Sequence, residues 1–133
     1  MSAGEQVPHR VWPVVLVVED EALLRLDTME MVENAGFAAI SADNAAQAIV
    51  ILENRTDVRI VISDIDMPQG INGLKLAALI RNRWPPIELI LVSGHTHPEA
   101  HELPERTLFF AKPYRPEEIV AAMNDFCSTN MWH

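Results

Sequence analysis

The stretch Arg59-Ile-Val-Ile-Ser-Asp64-Ile-Asp66-Met-Pro68 decides the fold. Apolar and small residues run straight into an aspartate, and a second acid comes two positions on. Met67-Pro68 then stops the run, because proline cannot donate to a strand ladder. A buried strand that delivers a carboxylate to its own C-terminal end is the usual way an open α/β sheet presents a reactive group. Val14-Val-Leu-Val-Val18 is a second such run. It is continuous rather than alternating, which suits a central strand covered on both faces, and it ends in the acids Glu19-Asp20-Glu21.

The rest of the chain alternates helix and strand around these two runs. A helix is expected over about residues 21–35, with Ala22, Leu26, Met29 and Val32 as its buried stripe and Gly36 as its stop. Residues 37–40 read as a weak second strand. Asn44 opens the next helix with Gln47 as a capping partner, and Ala45, Ala48, Ile49 and Leu52 form its apolar face. The third strand, 58–63, carries Asp64. Asn72 caps a helix over 73–84 that Pro85-Pro86 closes. Residues 89–92 form a fourth strand leading into Ser93-Gly94. Residues 95–106 are polar and hold Pro98 and Pro104, so at most a short helix fits between them. Residues 107–111 form a fifth strand, with Lys112-Pro113 directly after it. The last helix opens at Pro116-Glu117-Glu118 and buries Ile119, Ala122, Met123 and Phe126. The expectation is an α/β fold: a five-stranded parallel sheet, doubly wound, with right-handed crossovers and a shortened fourth helix.

Length and charge bound the function. The 133 residues make one domain, read as 14–128 with a loosely held leader at 1–13 and a tail at 129–133. A formal net charge of -9 argues against a nucleic-acid surface and against adhesion to anionic lipid. Cys127 is the only cysteine, so no intrachain disulfide forms and a reducing, cytoplasmic setting is expected. No signal peptide is evident, and Val14–Val18 is far too short to span a membrane.

In a parallel sheet the strand ends share one edge. That edge gathers Glu19 and Asp20, Asp64, Ser93 and Lys112. Three carboxylates in one cleft repel one another unless a cation neutralises them, and hard oxygen ligands suit Mg²⁺. A carboxylate beside such a cation, with a hydroxyl and an ammonium opposite, is a site for phosphoryl transfer with Asp64 as nucleophile.

Here the chain resembles the receiver domain of bacterial two-component response regulators. The resemblance runs from about residue 14 to 127. It rests on Glu19-Asp20, Asp64-x-x-Met67-Pro68, Gly73, Ser93-Gly94 and Lys112-Pro113, in that order. It implies a flavodoxin-like strand order 2-1-3-4-5. It implies that Asp64 accepts a phosphoryl group from a histidine kinase or phosphotransfer protein. Glu19, Asp20 and Asp64 would hold Mg²⁺, with the backbone carbonyl of Asp66 completing the shell. Ser93 would be the switch hydroxyl, Lys112 the partner of a phosphoryl oxygen, and Phe109 the switch aromatic. Asp66 and His95 fall where the phosphoryl lifetime is tuned. The loop 67–73 is longer than the common form, the segment 93–112 is shorter, and Phe109 lacks a hydroxyl.

The expected function is a stand-alone signalling switch. It would act through a partner protein, as a homodimer, or by passing the phosphoryl group on in a phosphorelay. It would not be an enzyme beyond its own phosphoryl acceptance and slow autodephosphorylation. An alternative is a small aspartyl-phosphate hydrolase of haloacid-dehalogenase-like type, although the acidic pair comes first here rather than late. A receiver-like scaffold that is never phosphorylated is a third possibility, opposed by the intact acidic set. His95, His97 and His101 invite zinc, but Pro98 interrupts the spacing and an exposed polar loop is the plainer account. Trp12, Trp84 and Trp132 are expected to be packing residues.

Overall fold

The run Val14–Val18 is β1, an interior strand of the sheet buried along its whole length. The computed structural model describes residues 13–130. After β1 come α1 (Ala22–Asn34), β2 (Ala38–Ala42), α2 (Ala45–Asn54), β3 (Val58–Asp64), α3 (Gly73–Arg83) and β4 (Glu88–Ser93). A single 3-10 turn (Ala100–Glu102), β5 (Thr107–Ala111) and α4 (Pro116–Asn130) complete the order. All strand pairs are parallel, and the order across the sheet is β2-β1-β3-β4-β5. The fold is therefore flavodoxin-like, as the resemblance implied.

The pleat divides the core into two layers, because successive side chains point to opposite faces. Leu16, Val18, Val61, Leu89 and Leu91 pack against Ala45, Ala48 and Leu52 of α2 and Leu76, Ala77 and Ile80 of α3. Val15, Val17, Ile60, Ile62, Ile90 and Val92 pack against Val32 of α1 and Ile119, Ala122 and Met123 of α4.

Local chemistry starts and stops the helices. The Asn44 side chain accepts from the Gln47 amide at 2.8 Å, and that of Asn72 from the Lys75 amide at 3.0 Å. Gln47 returns its side-chain oxygen to the Asp43 amide at 2.7 Å, one residue short of the expected reciprocal box. Gly36 ends α1 with φ of 97°, a conformation that glycine adopts without a Cβ clash.

The expected stripe on α1 needs correction. Leu26 is 61% exposed, Leu23 74% and Leu24 40%, and Ala22 is exposed as well. The first turns of α1 stand at the strand-end edge, and burial begins only at Met29, Met31 and Val32, where the helix runs back along the sheet. Apolar residues lie on more than one side of this helix, so spacing alone could not choose the buried face.

The link from β4 to β5 holds only the 3-10 turn, set between Pro98 and Pro104 as their positions demanded. Arg81 of α3 ties the far end of this link to the turn before β4. Its guanidinium donates to the backbone carbonyls of Pro85 (2.8 Å), Ile87 (2.6 Å), Glu105 (2.7 Å) and Arg106 (3.1 Å). Arg106 pairs with the buried Glu88 at 3.3 Å and also donates to the Pro85 carbonyl. Leu103 packs on the core, and the His97 ring meets Phe109 edge-on with centroids 5.9 Å apart. The β5 strand remains only partly covered.

Trp84 packs against the α2/α3 layer, with the Arg83 guanidinium 4.4 Å over its ring. Trp12, Trp132, nearly all of the leader and residues 131–133 of the tail lie outside the described residues. Among the described residues no helix is long and apolar enough to cross a membrane.

Candidate functional site

Asp64 closes β3, where the ladder pairs it with Val92 of β4. On its other side Val18 pairs with Ser63, so the next residue of each strand, Glu19 and Asp64, lie side by side. Continuing the pleat, Glu19, Asp64 and Lys112 share the parity of Val17, Ile62 and Phe110, and point toward the α1/α4 face. Ser93 shares the parity of Leu91 and Phe109, and points to the other face. The start of α3 lies against the backbone of this strand end. The Gly73 amide donates to the Ile65 carbonyl at 3.1 Å. A Cβ on Gly73 would lie 2.7 Å from Ile65 Cα and would overlap the Asp64 carbonyl, so only glycine fits.

The acids converge. Carboxylate oxygens of Glu19, Asp20 and Asp64 lie within 4.8 Å of one another. Glu19 is 5% exposed and Asp64 6%, while Asp20 faces solvent. The Lys112 ammonium sits 3.1 Å from Asp64 and 3.7 Å from Glu19. Burial disfavours its charge, but Asp64 and Glu19 outweigh that and hold its pKa above the ordinary lysine value. Glu19 is pushed up to about 7, first by burial and then by the neighbouring Asp64 charge, against the pull of the Glu21 amide and Lys112. The Glu21 amide donates to Glu19 at 3.1 Å, and the Asp66 amide to Asp64 at 3.0 Å.

A second group of side chains lies beside the first. The Asp66 carboxylate accepts from Ser93 Oγ at 2.5 Å, Thr96 Oγ1 at 2.7 Å and the His95 amide at 3.2 Å. Burial opposes its charge, but these bonds, with one from the Gly94 amide, hold its pKa below the ordinary carboxylate value. The Ser93 hydroxyl also accepts from the Thr96 amide at 2.7 Å. Of the residues singled out from sequence, Glu19, Asp20, Asp64 and Lys112 are thus brought together. Ser93 is tied to Asp66, His95 takes part through its backbone while its side chain is exposed, and Phe109 sits under His97. Among the described residues the three histidines form no metal-holding group.

Two residues escaped the sequence reading. Thr96 had no signal beyond a hydroxyl in a polar loop. Arg25 donates to the Glu19 carbonyl at 2.8 Å and pairs with Asp43 at 3.2 Å, bracing the end of β1. Its signal was a lone basic residue near the start of a helix that begins among acids. Next to the acids, a cavity of about 450 Å³ is lined by Leu24, Met31, Val92, Tyr114 and Lys112, among others.

A family model for the response regulator receiver domain matches residues 15–124. The chain belongs to this family. The receiver domain is 35% identical over 111 residues to the C4-dicarboxylate transport transcriptional regulatory protein DctD of Rhizobium meliloti, covering 81% of this chain and 24% of that protein. It is 30% identical over 112 residues to the sensor protein TorS of Escherichia coli, covering 82% of this chain and 12% of that protein. It therefore spans a minor part of these longer relatives. A crystal structure of a response regulator receiver protein from Pseudomonas putida matches with a TM-score of 0.79 and 30% identity, over 88% of this chain and 99% of that one. The receiver domain is a signalling domain of two-component systems. The haloacid-dehalogenase-like hydrolase finds no support in these similarities.

Proposed function

We propose that this receiver domain is a phospho-acceptor switch in which Asp64 takes a phosphoryl group from the phosphohistidine of a histidine kinase or phosphotransfer protein. The observation that carries this is the Asp64 carboxylate at the end of a buried strand, with Lys112 at 3.1 Å and two more acids beside it. An Asp64 oxygen attacks phosphorus, and the bond to the imidazole nitrogen breaks. The electron pair stays on the ring, which is protonated at its other nitrogen and leaves neutral. Lys112 then turns its charge to a phosphoryl oxygen, and Ser93 donates a hydrogen bond to another.

The acid cluster fits a hard divalent cation. Lys112 supplies one positive charge against three carboxyls, and Glu19 keeps its proton up to about pH 7 when nothing else neutralises it. Glu19, Asp20, Asp64 and the Asp66 carbonyl would hold Mg²⁺. Bound there, the ion screens charge between the incoming phosphoryl oxygens and the carboxylates. Leu24 lines the cavity beside Glu19 and Lys112, and the exposed Leu23, Leu24 and Leu26 at the start of α1 suit apolar docking of the phosphodonor. The folding unit is residues 14–128, working in the cytoplasm, and its output is read by a partner protein, a second copy or a relay histidine.

The test is labelling of the purified chain with acetyl phosphate and Mg²⁺. The expected product is one phosphoryl group, released by hydroxylamine as an acyl phosphate should be, and lost in Asp64→Asn or on chelation. Labelling that survives Asp64→Asn would overturn the assignment.

A further inference from the structure

The side chain of Asp66 is placed for a task distinct from that of its backbone carbonyl. Its carboxylate gathers donors from one short segment: Ser93 Oγ, the His95 amide and Thr96 Oγ1. The Ser93 hydroxyl is fully buried and has one proton, which it gives to Asp66 at 2.5 Å. Its lone pairs accept from the amides of His95 at 3.2 Å and Thr96 at 2.7 Å. The next residue along, His97, lies against Phe109.

We propose that Asp66 is a positioning residue, whose carboxylate clasps Ser93 and Thr96 and withholds the Ser93 proton from Asp64 until the clasp opens. The proposal rests on Asp64 being the phosphoryl acceptor. Exclusivity comes from the proton count: a serine hydroxyl cannot donate to Asp66 and to a phosphoryl oxygen at once. Charge assistance makes the resting bond a strong competitor. Opening the clasp frees both ends of Thr96, its amide from Ser93 and its hydroxyl from Asp66. Through His97 the release reaches Phe109 on β5, the strand that the short β4–β5 connection leaves partly covered. Phosphorylation and rearrangement of that segment are thereby coupled through two hydroxyls and one carboxylate.

The test compares the wild-type chain with Asp66→Ala, Thr96→Val, Thr96→Ser and Ser93→Ala. In the unphosphorylated protein, amide hydrogen exchange over residues 94–97 should quicken about tenfold in Asp66→Ala and Thr96→Val, and return toward wild type in Thr96→Ser, which keeps the hydroxyl. With acetyl phosphate and Mg²⁺, Asp66→Ala should be labelled several-fold faster than wild type, and this gain should vanish when Ser93 is already alanine. Unchanged exchange in both Asp66→Ala and Thr96→Val overturns the clasp. So does an Asp66→Ala gain that persists without Ser93, since simple loss of a negative charge would act either way. A wild-type chain that takes no label rejects the acceptor role of Asp64, and the exchange comparison then decides the clasp separately.

Discussion

Burial first, and the neighbouring Asp64 charge after it, push the Glu19 carboxyl well above the ordinary range. Folded, its carboxyl holds a proton up to about pH 7, whereas unfolded it ionises near 4.5. Between those values the folded state binds more protons than the unfolded one, so this group costs stability as pH rises through the window. In metal-free buffer, urea unfolding should show wild type losing stability relative to Glu19→Gln from about pH 4.5 to about pH 7, and no further above it. Parallel profiles for the two proteins would remove the assigned shift. Gly73 is constrained by shape instead. Gly73→Ala forces a methyl group into the Asp64–Ile65 backbone and should lower stability by roughly 2 kcal/mol or more, read from the denaturation midpoint. A loss within a few tenths of wild type would mean that α3 can shift away at little cost. At this scale the acids, Ser93 and Lys112 were legible because each comes directly after or at the end of a strand-like run. Thr96 was not, because a hydroxyl in a polar loop looks the same whether or not a carboxylate faces it.

Among the elements, the connection from β4 to β5 is held at its far end by one side chain, Arg81. A helix there would satisfy its own backbone groups. The single 3-10 turn leaves carbonyls at its far end that Arg81 collects from Glu105 and Arg106, together with those of Pro85 and Ile87 before β4. Arg81→Met keeps the aliphatic stem and drops the donors. It should cost about 2–3 kcal/mol and raise amide exchange in β5 more than in β1. Equal changes in both strands would assign Arg81 a global rather than a local role. Helix starts were readable from Asn44 and Asn72, because a cap is a contact within four residues. The buried face of α1 was not. Leu23, Leu24 and Leu26 are apolar like the residues that pack, and only the position of the sheet beneath the helix separates them.

On the scale of the whole molecule, the site is a destabilising concentration of like charge built on a two-layer core. Buried Glu19 and Asp64 are held by Lys112, and the remaining repulsion is what a divalent cation would relieve. Ligand that binds only the folded state stabilises it by mass action. Mg²⁺ at a hundred times its dissociation constant should add about 2.7 kcal/mol, a rise in Tm of roughly 10 °C for a domain of this size. Calorimetry on wild type and Asp20→Asn checks this, with the substitution weakening the response. A Tm indifferent to Mg²⁺ would deny the cluster its role.

Sequence by itself determined the strand runs, their alternation with helices, and which residues stand at strand ends, since these depend on apolar pattern and near-neighbour chemistry. Only the tertiary structure decided which strand-end side chains meet. The pleat sends Glu19, Asp64 and Lys112 to one face and Ser93 to the other, and the fold of residues 94–97 brings Thr96 onto Asp66. Such pairings depend on register and loop path across some 30 residues of chain, from Asp66 to Thr96, and local pattern carries no record of that.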